Sequence, residues 1–140
     1  MIGVVVVTHC HLGAELIAAA QLVLGEELKQ FQAVSIDPKE GSADIREKII
    51  AAIRKVDGGR GILILTDMYG GTPSNISLSF LKENRIEVIT GVNLPMLLKL
   101  ATYQNDMNLE ELALFITQYG QRNINVASDV LKKRVDKKKE

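Results

Sequence analysis

The sequence predicts an α/β protein in which helices flank a doubly wound, mainly parallel sheet of four strands, and it leaves open an added antiparallel edge strand. Two stretches carry this prediction. Residues 2–8 (IGVVVVT) and 61–66 (GILILT) are apolar, largely β-branched and free of polar alternation, which is typical of strands that helices cover on both faces. Helical patterns alternate with the predicted strands, and this alternation implies right-handed crossovers between parallel neighbours.

The remaining elements follow in order along the chain. Strands are predicted at residues 2–8, 31–36, 61–66 and 86–90. The first two helices are predicted at residues 14–24 and 42–56, and a third begins at residue 72. A short fourth helix follows the last strand and runs to about residue 103, and a fifth covers about residues 108–119. Gly25 is expected to end the first helix, where glycine adopts the left-handed conformation most easily. Thr72 is expected to cap the third helix and Pro73 to occupy its first turn, with apolar residues from Ile76 to Leu81 as its buried face.

The chain has the length of one domain, which we assign to residues 1–120. Residues 121–140 are predicted to form a C-terminal helical or frayed charged tail. Val126, Val130 and Val135 are widely spaced there, and the segment ends in KKRVDKKKE, a run of charge that favours exposure to solvent.

The composition excludes several classes of protein. Seventeen basic and seventeen acidic residues give a formal net charge of zero, so no global basic field attracts nucleic acid or an anionic membrane. The single cysteine cannot form an internal disulfide, which fits a reducing compartment. The first apolar stretch is short and has no cationic residues before it, so we expect neither a signal peptide nor a membrane span. A cytoplasmic protein is therefore expected.

Two side chains of chemical interest follow the first and third predicted strands. His9 comes directly after residues 2–8, and Asp67 directly after residues 61–66. Ligands of open parallel sheets bind beyond the carboxyl ends of the strands, so these side chains meet there if their strands are neighbours. An imidazole held at one nitrogen by a carboxylate presents the other as a nucleophile, and we interpret His9 as an acceptor of a phosphoryl group. The alternative is a histidine that only caps a neighbouring carbonyl group.

Gly70, Gly71 and Thr72 are interpreted as the phosphate-binding side of the same site. Two glycines let backbone N–H groups approach a ligand closely, and the helix that follows directs its positive end to the same place. Thr72 adds a hydroxyl donor. The segment matches neither a dinucleotide fingerprint nor a P-loop, because no lysine follows the glycines, so no nucleotide cofactor is expected. A plain turn before a helix is the alternative.

His11 and Cys10 are secondary candidates beside His9. With Asp67 they would make a set of metal ligands, but no second cluster of Cys or His supports a metal site and none is predicted. Cys10 is expected to be a small buried hydrophobic residue. His11 is expected at the rim, where it contacts a partner or substitutes for His9.

Two other segments belong to the same predicted edge of the sheet. Asn93 and Pro95 follow the fourth strand and are interpreted as the start of the next helix rather than a wall of the site. Met68 and Tyr69 precede the glycines at the rim, where apolar groups would dock a partner or pack within a dimer.

These segments together resemble a known family. IGVVVVTH, then ILILTDMYGGTPSN and finally EVITGVNLPMLLKL, in this order within residues 1–120, resemble the IIA component of the mannose/fructose/sorbose family of the bacterial phosphoenolpyruvate-dependent sugar phosphotransferase system. The combination of D-x-Y-G-G-T-P-x-N with G-V-N-x-P-M carries the resemblance. Residues 121–140 show no signal of this family.

The resemblance implies a cytoplasmic homodimer that acts as a phosphotransferase between protein histidines. The implied donor is the small histidine-containing phosphocarrier protein, and the implied acceptor is a IIB component that serves sugar uptake. Contact with the membrane would be indirect, through the transporter. The family's phosphorylated histidine falls on His9, its partner carboxylate on Asp67 and the hydroxyl of its phosphate loop on Thr72. No cofactor, metal ion or nucleic acid is implied.

The chain departs from the family pattern directly after the histidine. Glycine is common there, whereas this sequence has Cys10 followed by His11. A side chain at that position narrows the freedom of the backbone and affects which partner docks. Two alternatives to sugar transport therefore stay open. One is a regulatory module whose binding depends on phosphorylation, and the other is the phosphoryl donor subunit of a dihydroxyacetone kinase.

Overall fold

The computed structural model describes residues 1–82 and 85–139, in which strands and helices follow one another in the predicted order. The strands are β1 (Gly3–His9), β2 (Phe31–Ile36), β3 (Ile62–Thr66) and β4 (Ile86–Thr90). The helices are α1 (Leu12–Leu24), α2 (Ser42–Val56), α3 (Gly71–Leu78), α4 (Leu94–Tyr103), α5 (Leu109–Arg122) and α6 (Ala127–Lys139).

The four strands form one parallel sheet in the order β2-β1-β3-β4, which confirms the predicted fold class. β1 has β2 on one side and β3 on the other, so the chain changes direction across the sheet at β1. Ligands of doubly wound sheets bind at such a switch point. The described residues contain no antiparallel edge strand, and antiparallel pairing there is limited to the isolated bridges Cys10–Ile36 and Lys82–Ile86.

Alternate residues of the strands face two layers of helices, so the sheet has a hydrophobic core on each side. Val4 and Val6 of β1 pack in the cluster that includes α1, α4 and α5, whereas Val5 and Val7 pack in the cluster that includes α2. All four valines are fully buried. This burial on both faces is the reason that the strand sequence shows no polar alternation.

The start of α3 differs from the prediction. The helix begins at Gly71 with Gly70 as the N-cap residue and no side-chain cap, so the prediction that Thr72 caps it is wrong. Gly70 and Gly71 have φ angles of +85° and +81°. Because glycine adopts such angles freely, these two residues turn the chain into the helix two positions earlier than a Thr72 cap would.

The buried face of α3 also differs from the predicted apolar set. The residues that the helix buries are small or polar: Pro73, Ser74 and Ser77. Of the predicted face only Phe80 is buried, whereas Leu81 is exposed. The helix ends at Leu78, before either residue, so the helical spacing assumed in the prediction does not extend that far.

The ends of three other helices agree with the prediction. Gly25 ends α1 in the left-handed region, with a φ angle of +70°. Asn93 caps α4 and accepts a hydrogen bond from the backbone N–H of Met96 at 3.1 Å. Asn108 caps α5 in the same way through the N–H of Glu111, at 2.9 Å. Each cap satisfies a backbone group that would otherwise lack a partner at the end of a helix.

The last helix is exposed to solvent. Every residue from Gln121 to Lys138 is exposed, and α6 makes no extensive contact with another described element. Within residues 1–82 and 85–139, no helix combines the length and the apolar character that crossing a membrane requires.

Candidate active site

The structure brings His9 and Asp67 together at the carboxyl edge of the sheet. β1 ends at His9, and Asp67 follows β3 directly. The two strands are neighbours, with Val7 of β1 aligned with Thr66 of β3, so both side chains emerge at the same height above the sheet. Two segments 58 residues apart in sequence thus supply one pair of side chains.

A single carboxylate holds His9 at two points. Nδ1 of the His9 ring lies 2.7 Å from Oδ2 of Asp67, and the backbone N–H of His9 donates to the same oxygen at 3.0 Å. The other oxygen of Asp67 accepts the backbone N–H of Met68 at 3.1 Å. Since an ionised carboxylate only accepts, the neutral His9 ring carries its proton on Nδ1 and leaves a lone pair on Nε2.

The surroundings of Asp67 keep it ionised. Burial raises the pKa of the Asp67 carboxyl, because a charged group loses hydration there. The hydrogen bonds that the ring and the backbone of His9 donate to the carboxylate, together with the charge of the ring when it is protonated, lower this pKa by more than burial raises it. The pKa of Asp67 therefore lies below its ordinary value of 3.8. The side chain of Asp67 is only 12% exposed and that of His9 is 49% exposed, so the carboxylate is sheltered while the imidazole remains accessible.

Gly71 lies beside the free nitrogen of the His9 ring. A Cβ atom placed on Gly71 would lie 3.4 Å from both Cε1 and Nε2 of the His9 ring. Thr72 lines a cavity of ≈ 220 Å³ together with His9 and Cys10. The start of α3 thus lies beside Nε2 at Gly71, and a helix N-terminus favours negative charge.

Cys10 does not occupy the place that the sequence predicts. It is exposed rather than buried, so the prediction of a small core residue is wrong. β1 has ended one residue earlier, and the chain turns at Cys10 with a φ angle of +50°. The left-handed region costs an ordinary residue about 1–2 kcal/mol and glycine far less.

His11 points to a neighbouring cavity rather than to Asp67. Its Nδ1 lies 3.2 Å from the Ser35 hydroxyl, and it lines a cavity of ≈ 320 Å³ with Cys10 and Ser35. In the described part of the chain no three His, Cys, Asp or Glu side chains are grouped closely enough to hold a metal ion. The metal interpretation of His9, Cys10 and His11 therefore gains no support from this arrangement.

Glu40 and Lys48 also belong to this edge, and the sequence interpretation missed them. Lys48 Nζ lies 2.7 Å from Oε1 of Glu40 and donates to the Ser35 carbonyl at 3.2 Å. The hydrogen bond from Lys48, followed by that from the backbone of Asp37, holds the pKa of Glu40 below its ordinary value. Glu40 lines both cavities. The available signal was the place of Glu40 in the β2–α2 connection, which opens at the same carboxyl edge.

Four other residues named from the sequence follow β3 or β4, and within the described residues none of their side chains forms a hydrogen bond with His9 or Asp67. Asn93 caps α4 and donates to the Gly120 carbonyl at 3.1 Å, so its observed role is structural. Met68 and Tyr69 are 54% and 76% exposed at the rim beside the glycines. Pro95 lies in the first turn of α4, as predicted.

Comparisons with known proteins relate this chain to one family. A family model described as "PTS system fructose IIA component" matches residues 3–117. The fructose-specific EIIA component of Bacillus subtilis (strain 168) is 31% identical over 134 residues, or 95% of this chain and 91% of that protein. The sorbose-specific EIIA component of Lacticaseibacillus casei is 34% identical over 110 residues, or 78% of each chain. The crystal structure of EIIA from Streptococcus agalactiae has a TM-score of 0.80 at 25% identity, over 92% of this chain and 99% of that chain.

The chain belongs to the mannose/fructose/sorbose family of IIA components of the sugar phosphotransferase system. This confirms the resemblance seen in the strand ends and the glycine loop. The family match ends at residue 117, within α5, so α6 lies outside the matched segment.

Proposed function

We propose that this chain is a phosphohistidine carrier that accepts a phosphoryl group on Nε2 of His9. The observation that carries the proposal is the 2.7 Å contact between His9 Nδ1 and Asp67, with Nε2 left beside Gly71. The donor is the histidine-containing phosphocarrier protein and the acceptor a IIB component, as the family membership suggests. The chain thereby acts as a phosphotransferase between protein histidines in sugar uptake.

The reaction needs only the two imidazoles and their surroundings. The lone pair on Nε2 of His9 attacks the phosphorus in line, a new N–P bond forms and the N–P bond of the donor breaks, its electron pair returning to the donor nitrogen. Nδ1 keeps its proton, so the phosphorylated ring becomes cationic and Asp67 neutralises it. Transfer to the acceptor reverses the same steps. Such transfer depends mainly on positioning and electrostatics, and neither a metal ion nor a nucleotide takes part in the proposed steps.

The start of α3 binds the transferred oxygens in this proposal. Backbone N–H groups near Gly70 and Gly71 and the hydroxyl of Thr72 donate to them, and the helix N-terminus favours their charge. His11 and Cys10 line the neighbouring cavity, where they contact the docking partner. The phosphorylated site is anionic, so partners should present basic surfaces or helix N-termini.

The family also suggests a cytoplasmic homodimer, and we propose both for this chain. Light scattering on the purified protein should give twice the monomer mass. A single-chain mass at every accessible concentration would contradict the dimer and leave the phosphoryl chemistry untouched.

The decisive experiment is incubation with labelled phosphoenolpyruvate, the first enzyme of the relay and the phosphocarrier. One acid-labile phosphate per chain is expected on the wild type and on His11→Ala, and none on His9→Ala. Label that survives His9→Ala but disappears with His11→Ala would show that His11, and not His9, carries the phosphate. Adding a IIB component should then remove the label, and label that stays would favour a regulatory module.

A further inference from the structure

The last twenty residues carry a net charge opposite in sign to that of the rest of the chain. Seven of the seventeen basic residues but only three of the seventeen acidic residues lie in residues 121–140. This segment has a formal net charge of +4, and residues 1–120 have −4, although the whole chain is neutral. The zero net charge therefore conceals a strong asymmetry, of the kind that indicates a basic segment with an anionic partner.

The structure arranges much of this charge on an exposed helix. α6 has 13 residues, so it is about 20 Å long. Leu131 and Val135, which are 60% and 51% exposed, lie one turn apart on the same face. By helical spacing, Arg134 and Lys138 border this apolar stripe on one side and Lys132 on the other. The helix thus presents a short apolar stripe between rows of basic residues.

The position of α6 links it to the site. The Gly120 carbonyl near the end of α5 accepts a hydrogen bond from Asn93, which follows β4 at the carboxyl edge of the sheet. The chain therefore leaves α5 at the same edge that carries His9. A surface that bound α6 would keep this edge, rather than the opposite one, near itself.

We propose that α6 docks on the surface of an anionic lipid bilayer. Leu131 and Val135 enter the headgroup region, while the neighbouring Lys and Arg side chains extend past their apolar stems to the lipid phosphates. Each basic residue near an anionic bilayer strengthens binding by about fivefold, so charge supplies most of the affinity. The acidic remainder of the chain is repelled, which orients the molecule with α6 toward the lipid. This contact goes beyond the carrier function and adds a direct link to the membrane.

A second copy of the chain fits α6 less well. A stable protein interface buries about 800 Å² on each partner around a packed apolar core. Within the described part of α6 the exposed large hydrophobic residues are Val130, Leu131 and Val135, and basic residues occupy most of the remaining surface. That apolar area is too small for such an interface, whereas attraction to an anionic bilayer requires little of it.

Cosedimentation of the full chain with lipid vesicles tests the proposal. Vesicles of phosphatidylcholine mixed with phosphatidylglycerol should bind the protein, vesicles of phosphatidylcholine alone should not, and added salt should weaken the binding. Reversing three charges beside the apolar stripe should weaken it at least about a hundredfold. The variant carries Lys132→Glu, Arg134→Glu and Lys138→Glu.

A matched control makes the same change in charge on exposed positions of the remaining chain. It carries Lys29→Glu, Arg54→Glu and Lys55→Glu, and it should bind anionic vesicles at least about tenfold more tightly than the α6 variant. Both variants should accept phosphate from the phosphocarrier in solution as the wild type does. His9→Ala should bind vesicles normally, so failure of the carrier function and failure of docking are distinguishable.

Four results would overturn the proposal. They are equal binding to neutral vesicles, undiminished binding by the α6 variant, dimerisation that depends on α6 without binding to vesicles, and binding of α6 to DNA but not to vesicles. The third would identify a second copy as the occupant and the fourth a nucleic acid.

Discussion

The carboxylate of Asp67 accepts hydrogen bonds from three N–H groups, and these bonds fix the orientation of the His9 imidazole. Two of the donors belong to His9 and one is the backbone N–H of Met68. The backbone contact matters because it ties the carboxylate to the end of β1 as well as to the ring. The ring therefore meets an incoming phosphoryl group in a set tautomer and orientation, which lowers the entropy lost on reaching the transition state.

Replacing Asp67 with Asn should slow phosphorylation of His9 about 10- to 100-fold. Asparagine keeps the shape of the side chain but loses the charge that stabilises the cationic phosphorylated ring, and a hydrogen bond to a charged group contributes about 1.5–3 kcal/mol. Rapid-quench measurement of a single transfer from the phosphocarrier gives the rate. Asp44→Asn, at an exposed position of α2, serves as the control. An unchanged rate for Asp67→Asn would remove its proposed role.

Residues were predictable from sequence where their place depends on the end of a strand. His9 and Asp67 follow two apolar runs directly, so their meeting required only that the strands be neighbours. The burial of Cys10 was predicted wrongly, because the turn at this residue and its φ angle of +50° depend on a backbone contact with Ile36. Glu40 and Lys48 were missed because their ion pair depends on how the loop after β2 folds onto α2.

The start of α3 shows at the scale of an element how backbone conformation shapes the site. Its two glycines have positive φ angles, and a side chain at Gly71 would contact the ring of His9. Gly59 has nearly the same φ angle, +85°, but a Cβ atom there would meet no atom within 4 Å. Comparing the same substitution at Gly59 and at Gly71 therefore distinguishes the effect of backbone strain from the effect of a side chain beside the imidazole.

Gly71→Ala and Gly59→Ala should each lower the free energy of unfolding by about 1–2 kcal/mol, because alanine is strained at these angles. Only Gly71→Ala should also slow phosphorylation of His9, at least about tenfold, since its methyl group occupies space beside Nε2. Urea unfolding measures the first effect and rapid-quench kinetics the second. Equal rates in both variants would show that the glycine serves the turn alone.

Elements were predicted best where burial on both faces leaves a continuous apolar run. The ends of the predicted strands lie within one residue of the ends of the observed strands β1, β2, β3 and β4. Helix starts were predicted where a side chain caps them, as Asn93 and Asn108 do. α3 was mispredicted because its cap is a glycine, which leaves no side-chain signal, and because it buries serines.

At the scale of the whole molecule, the sheet order creates the site. β1 and β3 are neighbours only because the chain crosses to opposite sides of β1, and their ends then bring His9 and Asp67 together. The net charge is also a property of the whole chain, and it is divided between an acidic domain and a basic tail. The candidate site lies at the carboxyl edge of the sheet, and the basic tail of residues 121–140 begins near the same edge.

Acid should weaken the fold partly through Asp67. Its pKa is lower in the folded chain than the ordinary value of 3.8, so its ionised form stabilises the fold above that value and the contribution is lost as the pH falls through the folded pKa. The difference in free energy of unfolding between the wild type and Asp67→Asn should therefore be constant near neutrality and shrink below about pH 4. Urea unfolding at a series of pH values measures it.

Glu40→Gln is the comparison variant for this experiment. Its carboxyl also has a lowered pKa, but the pair with Lys48 is exposed and such pairs contribute little. The acid-dependent change should be larger for Asp67→Asn than for Glu40→Gln. The interpretation fails if the effect of Asp67→Asn does not vary with pH.

The sequence by itself determined the strands, the layers around them, the two side chains at the strand ends and the family. These features depend on local periodicity and on residue types in a fixed order, which the chain carries before it folds. Only the tertiary structure decided which nitrogen of His9 stays free, how Cys10 turns, where Glu40 meets Lys48 and that α6 is a helix leaving the edge of the site. Those outcomes depend on contacts between distant segments, or on backbone angles that residue type does not specify, and they exist only once the sheet has formed.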